Sequence, residues 1–169
     1  MSQLKVNSIV PIGGLDTGAY GGVIQVKPVF TNSTTIHTTN TFGDITGLSV
    51  TITPSSTSSK FLIMTCMTLG QSDRSSAIYL NLLRNSTPIA QNIDSTDPCT
   101  STLAFGANTS NTFSYSYHHL DETNLSNLSD ITYKYQIRTN GVGQATVNQR
   151  GIANDLYSTA NLIVFEVSG

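Results

Sequence analysis

Residues 48–53 have the sequence LSVTIT, in which apolar and hydroxyl-bearing side chains alternate without a break. Successive side chains of a β-strand point to opposite faces, so the three apolar residues of this run would all face one way. The same alternation recurs in residues 77–84, 131–139 and 160–167. Short alternating runs separated by turn residues, without a sustained helical period, predict a fold built from strands alone.

The composition supports the same conclusion. Thr, Ser and Asn supply 24, 21 and 14 residues, which is 59 of the 169 positions, whereas charged residues make up 11% of the chain. Thr suits a pleated, half-buried surface, while Ser and Asn favour turns because their side chains compete for backbone hydrogen bonds. The predicted exterior is neutral and rich in hydroxyl groups, which is typical of extracellular and virion structural proteins.

The bulk properties also exclude several classes of partner. A net charge of -2 and a pI of about 5.8 leave little positive charge to neutralise phosphates, so we expect no binding to nucleic acid. No apolar run approaches the roughly 20 residues that a membrane-spanning helix needs, so we expect no membrane insertion. Residues 1–11 lack the long apolar segment of an export signal. If the protein belonged to a particle released by cell lysis, it could have an extracellular type of surface without an export signal.

Strand candidates follow one another at regular spacing, as in a sandwich or barrel. Pro28 predicts that the first is an edge or bulged strand, and Asn140-Gly141 predicts a hairpin with 144–148 as its return strand. About ten strands, the last of which nearly reaches the final residue, predict a jelly-roll β-sandwich whose first and last strands lie side by side. The predicted strands are 23–31, 34–39, 48–53, 60–69, 77–84, 89–93, 112–120, 131–139, 144–148 and 160–167.

The first 22 residues differ from the rest and predict an extended arm with a flexible hinge, followed by one folded domain over residues 23–169. Five glycines within ten positions cannot pack a core. Short apolar residues before them can dock by backbone pairing onto another protein, and the alternative is a frayed terminus. The predicted docking residues are Leu4, Val6, Ile9, Val10 and Pro11, and the hinge glycines are Gly13, Gly14, Gly18, Gly21 and Gly22.

Three stretches resemble segments of known proteins. Residues 4–11 (LKVNSIVP), followed by Gly-rich chain and GVIQV at 22–26, resemble the N-terminus of fibre and other structural proteins of tailed phages, especially those that infect cyanobacteria. Residues 47–63 and 82–89 are similar to recurring segments of the same proteins. The resemblance covers about the first 90 residues. It implies a virion structural protein whose domain looks like the trimeric jelly roll of the C1q and tumour-necrosis-factor type.

Tyrosines predict where a homotrimer would associate. A Tyr ring can be buried at an interface while its hydroxyl still finds a hydrogen-bond partner. The alternative is that these side chains cap the sandwich edges of a monomer. The predicted trimer-interface residues are Tyr79, Tyr115, Tyr117, Tyr133 and Tyr135.

No pattern of residues predicts catalysis. The G-x-S-x-G sequence of a nucleophile elbow is missing, and most of the ten acidic residues fall in predicted loops. His118 and His119 are adjacent on a predicted strand, so they would point to opposite faces and could not easily share one metal ion. Cys66 is expected to be a buried thiol, and a reducing cytoplasm disfavours its pairing with Cys99. We therefore expect no catalytic residue, no metal site and no cofactor.

Polar loops are candidates for binding a host surface glycan, through many weak copies acting together. The candidate glycan-facing residues are Asp73, Arg74, Asp97, Asn148 and Arg150. The sequence thus predicts a trimeric tail fibre or knob, exposed on the exterior of a virion and docked by its arm to a tail or capsid protein. A capsid decoration protein and a carbohydrate-binding lectin module are the alternatives.

Overall fold

The computed structural model describes residues 22–73, 75–92, 98–104, 111–151, 155 and 157–169. These residues form an all-β sandwich of two antiparallel sheets, as predicted, and this described part contains no helix. The eleven strands are β1 (Val23–Thr31), β2 (Thr35–His37), β3 (Gly43–Ile52), β4 (Lys60–Gln71), β5 (Ala77–Arg84), β6 (Thr87–Ile89), β7 (Ser101–Ala104), β8 (Asn111–Asp121), β9 (Ile131–Thr139), β10 (Ala145–Val147) and β11 (Ala160–Val167).

The larger sheet is organised around β4. Its strand order is β1-β11-β4-β10-β2, and β8 runs along the opposite edge of β4. The first half of β4 pairs with β11 and its last three residues pair with β10. The first and last strands of the sandwich are neighbours, as predicted, and a bulge near Val23 and Gln25 interrupts their register. The position of β1 at the end of this order also confirms the edge strand predicted from Pro28.

The smaller sheet packs against the larger one and has the order β3-β9-β5-β6, with β7 also beside β5. Alternation decides which side chains fill the core between the two sheets. In β3 the side chains of Leu48, Val50 and Ile52 are buried, whereas Ser49 and Thr51 are exposed. Each fully buried aliphatic side chain contributes about 1.5–3 kcal/mol. The largest fully buried residues are Phe61, Leu48, Ile52, Ile63, Met67, Leu69, Ile78, Leu80, Leu82, Tyr133, Tyr135 and Ile137.

The predicted hairpin after β9 is wrong. β10 pairs with β4 and β2, so the chain crosses from the smaller sheet to the larger one instead of turning back along β9. A type I′ hairpin turn needs positive φ at both central residues. Gly141 and Gly143 have φ values of 88° and 63°, but Asn140 is not among the residues with positive φ. The Asn-Gly pair therefore belongs to a wider connection.

Candidate interaction surface

Among the described residues, a group of exposed and half-buried apolar side chains lies on the outside of the larger sheet. Outward apolar side chains of β1, β11 and β4, together with Leu120 of β8, form this surface on the side away from the core; the other outward positions of β8 carry Thr112, Ser114, Ser116 and His118. We call this surface the outer apolar face. Its residues are Val23, Val26, Pro28, Phe30, Leu62, Met64, Cys66, Leu120, Ile163, Phe165 and Val167.

Strand register makes the outer apolar face continuous. Two adjacent rows of cross-strand neighbours each cross four strands, and neighbours in such rows lie close enough for their side chains to touch. The first row is Val26, Phe165, Leu62 and Leu120. The second row is Pro28, Ile163, Met64 and His118. Seven of these eight side chains carry no polar group.

The outside of the smaller sheet is polar and its groups bind one another. Lys134 Nζ and Gln136 Nε2 each donate to the carboxylate of Asp44, at 2.7 Å. The hydrogen bond from Lys134, followed by the one from Gln136, holds the pKa of Asp44 below its ordinary value. Beside them the guanidinium carbon of Arg138 lies 3.8 Å from the ring centroid of Tyr79. The two outer surfaces of the sandwich therefore differ in chemistry, and only one of them favours burial against another apolar surface.

The five predicted interface tyrosines do not share a surface. Tyr133 and Tyr135 are fully buried and Tyr115 is 7% exposed, because the odd-numbered side chains of β8 and β9 point toward the core. Tyr117 stacks on Tyr115 with 6.3 Å between ring centroids. Tyr79 lies on the outward side of the smaller sheet, next to Arg138. A ring enclosed by its own chain has no surface left for another subunit. The assignment of Tyr115, Tyr133 and Tyr135 to an interface therefore needs correction.

Two of the buried tyrosine hydroxyls have hydrogen-bond partners. Tyr133 donates to Asp121 Oδ2 at 2.8 Å, and the Tyr115 hydroxyl lies 2.9 Å from Ser101 Oγ. Burial raises the pKa of Tyr115 to about 12, so this group stays protonated at neutral pH. These hydroxyls act as structural hydrogen-bonding groups inside the sandwich.

The candidate glycan-facing loops are largely occupied by internal contacts. Asn148 is fully buried, and its Nδ2 donates to the carbonyl oxygens of Thr31 and Ser33 at 3.3 and 3.1 Å. Its proposed glycan contact is therefore wrong, because the amide group faces the protein interior. Asp73 Oδ1 accepts a hydrogen bond from the backbone N–H of Ser75 at 2.7 Å.

Arg150 is partly exposed and forms an ion pair with Asp155. The remaining two candidates, Arg74 and Asp97, lie outside the described residues. In the described loops Asp73 belongs to a turn and Arg150 to an ion pair, and their role as glycan-facing residues stays a prediction.

The predicted docking residues and most of the hinge also lie outside the described part of the chain. They are Leu4, Val6, Ile9, Val10, Pro11, Gly13, Gly14, Gly18 and Gly21. Gly22 immediately precedes β1, and a Cβ atom placed on it would meet no atom of the described residues within 4 Å, apart from those of its own residue and its chain neighbour. The described structure therefore leaves the start of β1 open to solvent.

Glu166 fixes the start of β1 to the sandwich. This fully buried side chain accepts hydrogen bonds at Oε1 from Ser55 N (2.7 Å), Ser55 Oγ (2.6 Å) and Ser59 Oγ (2.5 Å). Gln25 Nε2 donates to its Oε2 at 2.5 Å and to the carbonyl of Thr53 at 2.8 Å. One carboxylate thus ties β11 to β1 and to the Ser-rich turn. The sequence feature that could have revealed the role of Glu166 was an acidic residue at a core-facing position of a strand with alternating side chains.

Asp121 is a second buried carboxylate in the same inward row, since Glu166 and Asp121 are the two cross-strand neighbours of Phe61. Arg84 NH1 lies 2.9 Å from both carboxylate oxygens of Asp121. Thr123 donates to Oδ1 from its hydroxyl at 2.8 Å and from its backbone N–H at 3.2 Å. These contacts join β5, β8 and the segment after β8.

Both buried carboxyls titrate abnormally. Burial alone would raise the pKa of Asp121, but hydrogen bonds from Thr123 and Tyr133 and the charge of Arg84 outweigh it and hold that pKa below 3.8. Burial likewise opposes the hydrogen bonds to Glu166, which hold its pKa below 4.5. The unfolded chain therefore binds these two protons at higher pH than the folded chain does.

We expect acid to destabilise the domain. Because both pKa values are lower in the folded protein, their stabilising contribution is complete above about pH 5 and is lost as the pH falls through the unfolded and then the folded values. Guanidinium denaturation at pH 7, 5 and 3.5 should give equal midpoints at the two higher pH values and a lower midpoint at pH 3.5. An unchanged midpoint at pH 3.5 would contradict this assignment.

The described residues bring together few reactive groups. They contain no cluster of three or more His, Cys, Asp or Glu side chains that could hold a metal ion.

Cys66 and Cys99 are both free thiols. Cys66 is exposed, because the side chains of β4 alternate and Cys66 faces outward. This corrects the expectation that Cys66 is a buried thiol. His118 and His119 lie on opposite faces of β8, as predicted. The part of the chain covered by the structure also lacks a helix suited to crossing a membrane.

Comparison with known proteins gives no family assignment. A scan against protein-family models finds no match to this chain, and a search of the curated proteins finds no matching protein. The functional argument therefore depends on the surfaces and contacts described above.

Proposed function

We propose that this chain is a non-enzymatic structural protein of a tailed-phage virion. Its N-terminal arm would dock the domain to another virion protein, and the sandwich would form a homotrimeric tail fibre or knob on the particle exterior. The observation that carries the proposal is the unequal chemistry of the two sheets, since one outer surface is apolar and the other is polar. Such asymmetry is typical of a protein that assembles through one surface and exposes another to water.

The strand arrangement supports a jelly roll of the C1q and tumour-necrosis-factor type as the finer description of the fold. The first strand lies beside the last, and the sheets can be written as β1-β11-β4-β8 facing β3-β9-β5-β7. The resemblance of residues 4–11 and 22–26 to phage structural proteins supports the virion assignment. The same resemblance and the same surface chemistry apply to a capsid decoration protein, and imaging of the intact particle would separate the two locations.

The start of β1 is suited to carry an arm. Val23 lies at the edge of the larger sheet, and Glu166 holds the neighbouring Gln25 in place. Gly22 has open space around it. A segment that precedes Gly22 can therefore leave the domain without displacing a core residue.

Deletion of residues 1–21 tests the docking role. We expect the shortened protein to keep its β-rich circular-dichroism spectrum but to be incorporated into particles at least about tenfold less, a loss of roughly 1.4 kcal/mol or more of docking free energy. Quantitative peptide mass spectrometry of purified particles measures this incorporation. The matched control is Leu128→Glu, which changes an exposed loop residue and should leave incorporation unchanged. Full occupancy by the shortened protein would rule out docking through the arm.

A further inference from the structure

Two neighbouring pockets lie beside the outward side of the smaller sheet, and Asn85 lines both of them. The first, of about 350 Å³, lies where β5 ends and β9 begins, next to the segment that follows β8. The second, of about 660 Å³, lies over β9, between β3 and the turn from β5 to β6. Both volumes fall within the range of about 300–1,000 Å³ that is usual for ligand sites. We call the two pockets together the polar groove.

A bulge in β3 forms one wall of the larger pocket. The register between β3 and β9 slips between Asp44 and Ser49, so that residues 45–48 stand opposite one residue of β9. Within the bulge, the backbone N–H of Thr46 donates to Thr35 Oγ1 at 2.9 Å, which holds the bulge against β2. Bulges of this kind are frequent beside binding sites, because they redirect side chains locally. The larger pocket is therefore part of the sheet itself.

Asn85, which lines both pockets, is fixed to β9. Its φ of 56° lies in the left-handed region, which Asn adopts more readily than most residues. Its backbone N–H donates to the carbonyl of Thr132 at 2.6 Å, and its Oδ1 accepts a hydrogen bond from the backbone N–H of Thr132 at 2.9 Å. No described residue accepts a hydrogen bond from its Nδ2. The two Nδ2 hydrogens are therefore available to a ligand in the polar groove.

The charges of the polar groove are balanced within the protein. Each pocket is lined by one cationic and one anionic side chain, which are Arg84 with Asp130 and Lys134 with Asp44. Both cations are already paired, Arg84 with Asp121 and Lys134 with Asp44. An anionic ligand would have to displace one of these carboxylates, and the lining carries no net charge that would attract a cation.

The uncharged polar groups of the groove have more capacity to bind a ligand. Four lining side chains that carry a hydroxyl or amide group make no hydrogen bond to another described residue: Ser49, Ser86, Asn124 and Ser126. The lining contains no aromatic residue on which a nucleobase could stack. Free hydroxyl and amide groups without a stacking surface favour a ligand that is uncharged and rich in hydroxyl groups.

We propose that the polar groove binds an uncharged oligosaccharide, whose consecutive sugar units occupy the two pockets across Asn85. The inference goes beyond the proposed structural role and does not depend on where the domain lies in a particle. None of the loop residues predicted to face a glycan lines either pocket, so this is a different site. The larger pocket lies on the opposite side of the sandwich from the outer apolar face, so a protein that covers that face leaves the pocket open.

The test uses the full chain and a panel of neutral hexasaccharides built from glucose, galactose or mannose. Nuclear magnetic resonance of the isotope-labelled protein should show that at least one of them shifts the backbone amide signals of Asn85, Ser86 and Thr132. Hexagalacturonate, the charged counterpart of the galactose chain, should bind at least about tenfold more weakly. A rise in NaCl from about 50 to about 500 mM should change the affinity for the neutral ligand less than about twofold, since charge attraction does not contribute.

Two substitutions in the polar groove test its role in binding. We expect Ser49→Trp to weaken binding at least about tenfold, because the indole ring would fill the larger pocket. Asn85→Gly should weaken binding about fivefold, because it removes the amide donors while glycine tolerates the φ of 56°. Ser114→Trp is the matched control, since it makes the same change at an exposed, outward position of β8 in the larger sheet and should leave the affinity unchanged. Circular-dichroism spectra of all three variants should match that of the wild-type protein.

Three results would overturn the proposal. One is a panel in which no neutral hexasaccharide shifts the three amide signals. Another is hexagalacturonate as the tightest ligand, with an affinity that falls steeply with salt, since the groove would then bind anions. The third is a folded Ser49→Trp variant that binds like the wild type, because the sugar would then lie elsewhere. All of these use the isolated protein, so they are separate from particle incorporation and from the test of the virion role.

Discussion

Replacement of Asp121 with alanine is expected to lower the free energy of unfolding by about 3–5 kcal/mol, the usual cost of removing one partner of a buried ion pair. The carboxylate accepts hydrogen bonds from Arg84, Thr123 and Tyr133. Its loss would leave the buried Tyr133 hydroxyl without this partner, and would leave the Arg84 charge, whose side chain is only 22% exposed, unpaired at the edge of the interior. Guanidinium denaturation followed by circular dichroism measures the change.

Asp44→Ala is the matched control, because Asp44 also pairs with a cation, Lys134, but its side chain is 55% exposed. An exposed pair contributes about 1 kcal/mol or less. The double variant Asp121→Ala with Arg84→Ala should recover part of the loss, since it also removes the unpaired charge. Equal costs for Asp121→Ala and Asp44→Ala would show that Asp121 does not organise the interior.

Replacement of Glu166 with glutamine is expected to cost about 3 kcal/mol of stability and to loosen the start of β1. Charge-assisted hydrogen bonds contribute about 1.5–3 kcal/mol each, and a glutamine amide would place its own donors against those of the partners. The partners are Gln25, Ser55 and Ser59. Denaturation midpoints measure the stability, and hydrogen exchange of the first residues of β1 measures the local loosening.

The control for this second prediction is Glu122→Gln. Glu122 pairs with Lys60, but its side chain is 56% exposed, so the expected change is within about 1 kcal/mol. If Glu166→Gln left both the midpoint and the exchange rates of β1 unchanged, Glu166 would not hold β1 in place.

Most of the strands could be predicted from alternation and turn residues. β1, β5, β9 and β11 have the predicted bounds, and the last three alternate clearly in the sequence. β7 was not predicted, since a strand of four residues is too short to show a clear period. The route of β10 was also missed, because pairing between distant segments depends on tertiary packing that a local turn pattern does not encode.

The location of the outer apolar face was harder to predict, for a physical reason. Alternation tells which residues share a face, but not which face meets the second sheet. In β4 both sets are apolar, with Phe61 and Ile63 on one side and Leu62 and Met64 on the other. β3, by contrast, has Ser and Thr on its outward side. The sequence feature that indicates an outer apolar face is therefore a strand that is apolar on both sides. Tyr115, Tyr133 and Tyr135, in contrast, are residues that fill the core.

The position of β1 has a consequence for how a particle would hold this protein. Val23 lies at one end of β1, the edge strand of the larger sheet, whose outward side chains belong to the outer apolar face. If a rotation axis parallel to the strands relates the copies, all N-terminal arms would leave the assembly at the same end. The opposite end of the assembly would then face the solvent. In the proposed trimer, three weakly binding N-terminal arms at one end of the domain would strengthen attachment by about 10²–10⁴-fold over a single arm. The proposed trimer would then remain on the particle while individual arms dissociate and rebind.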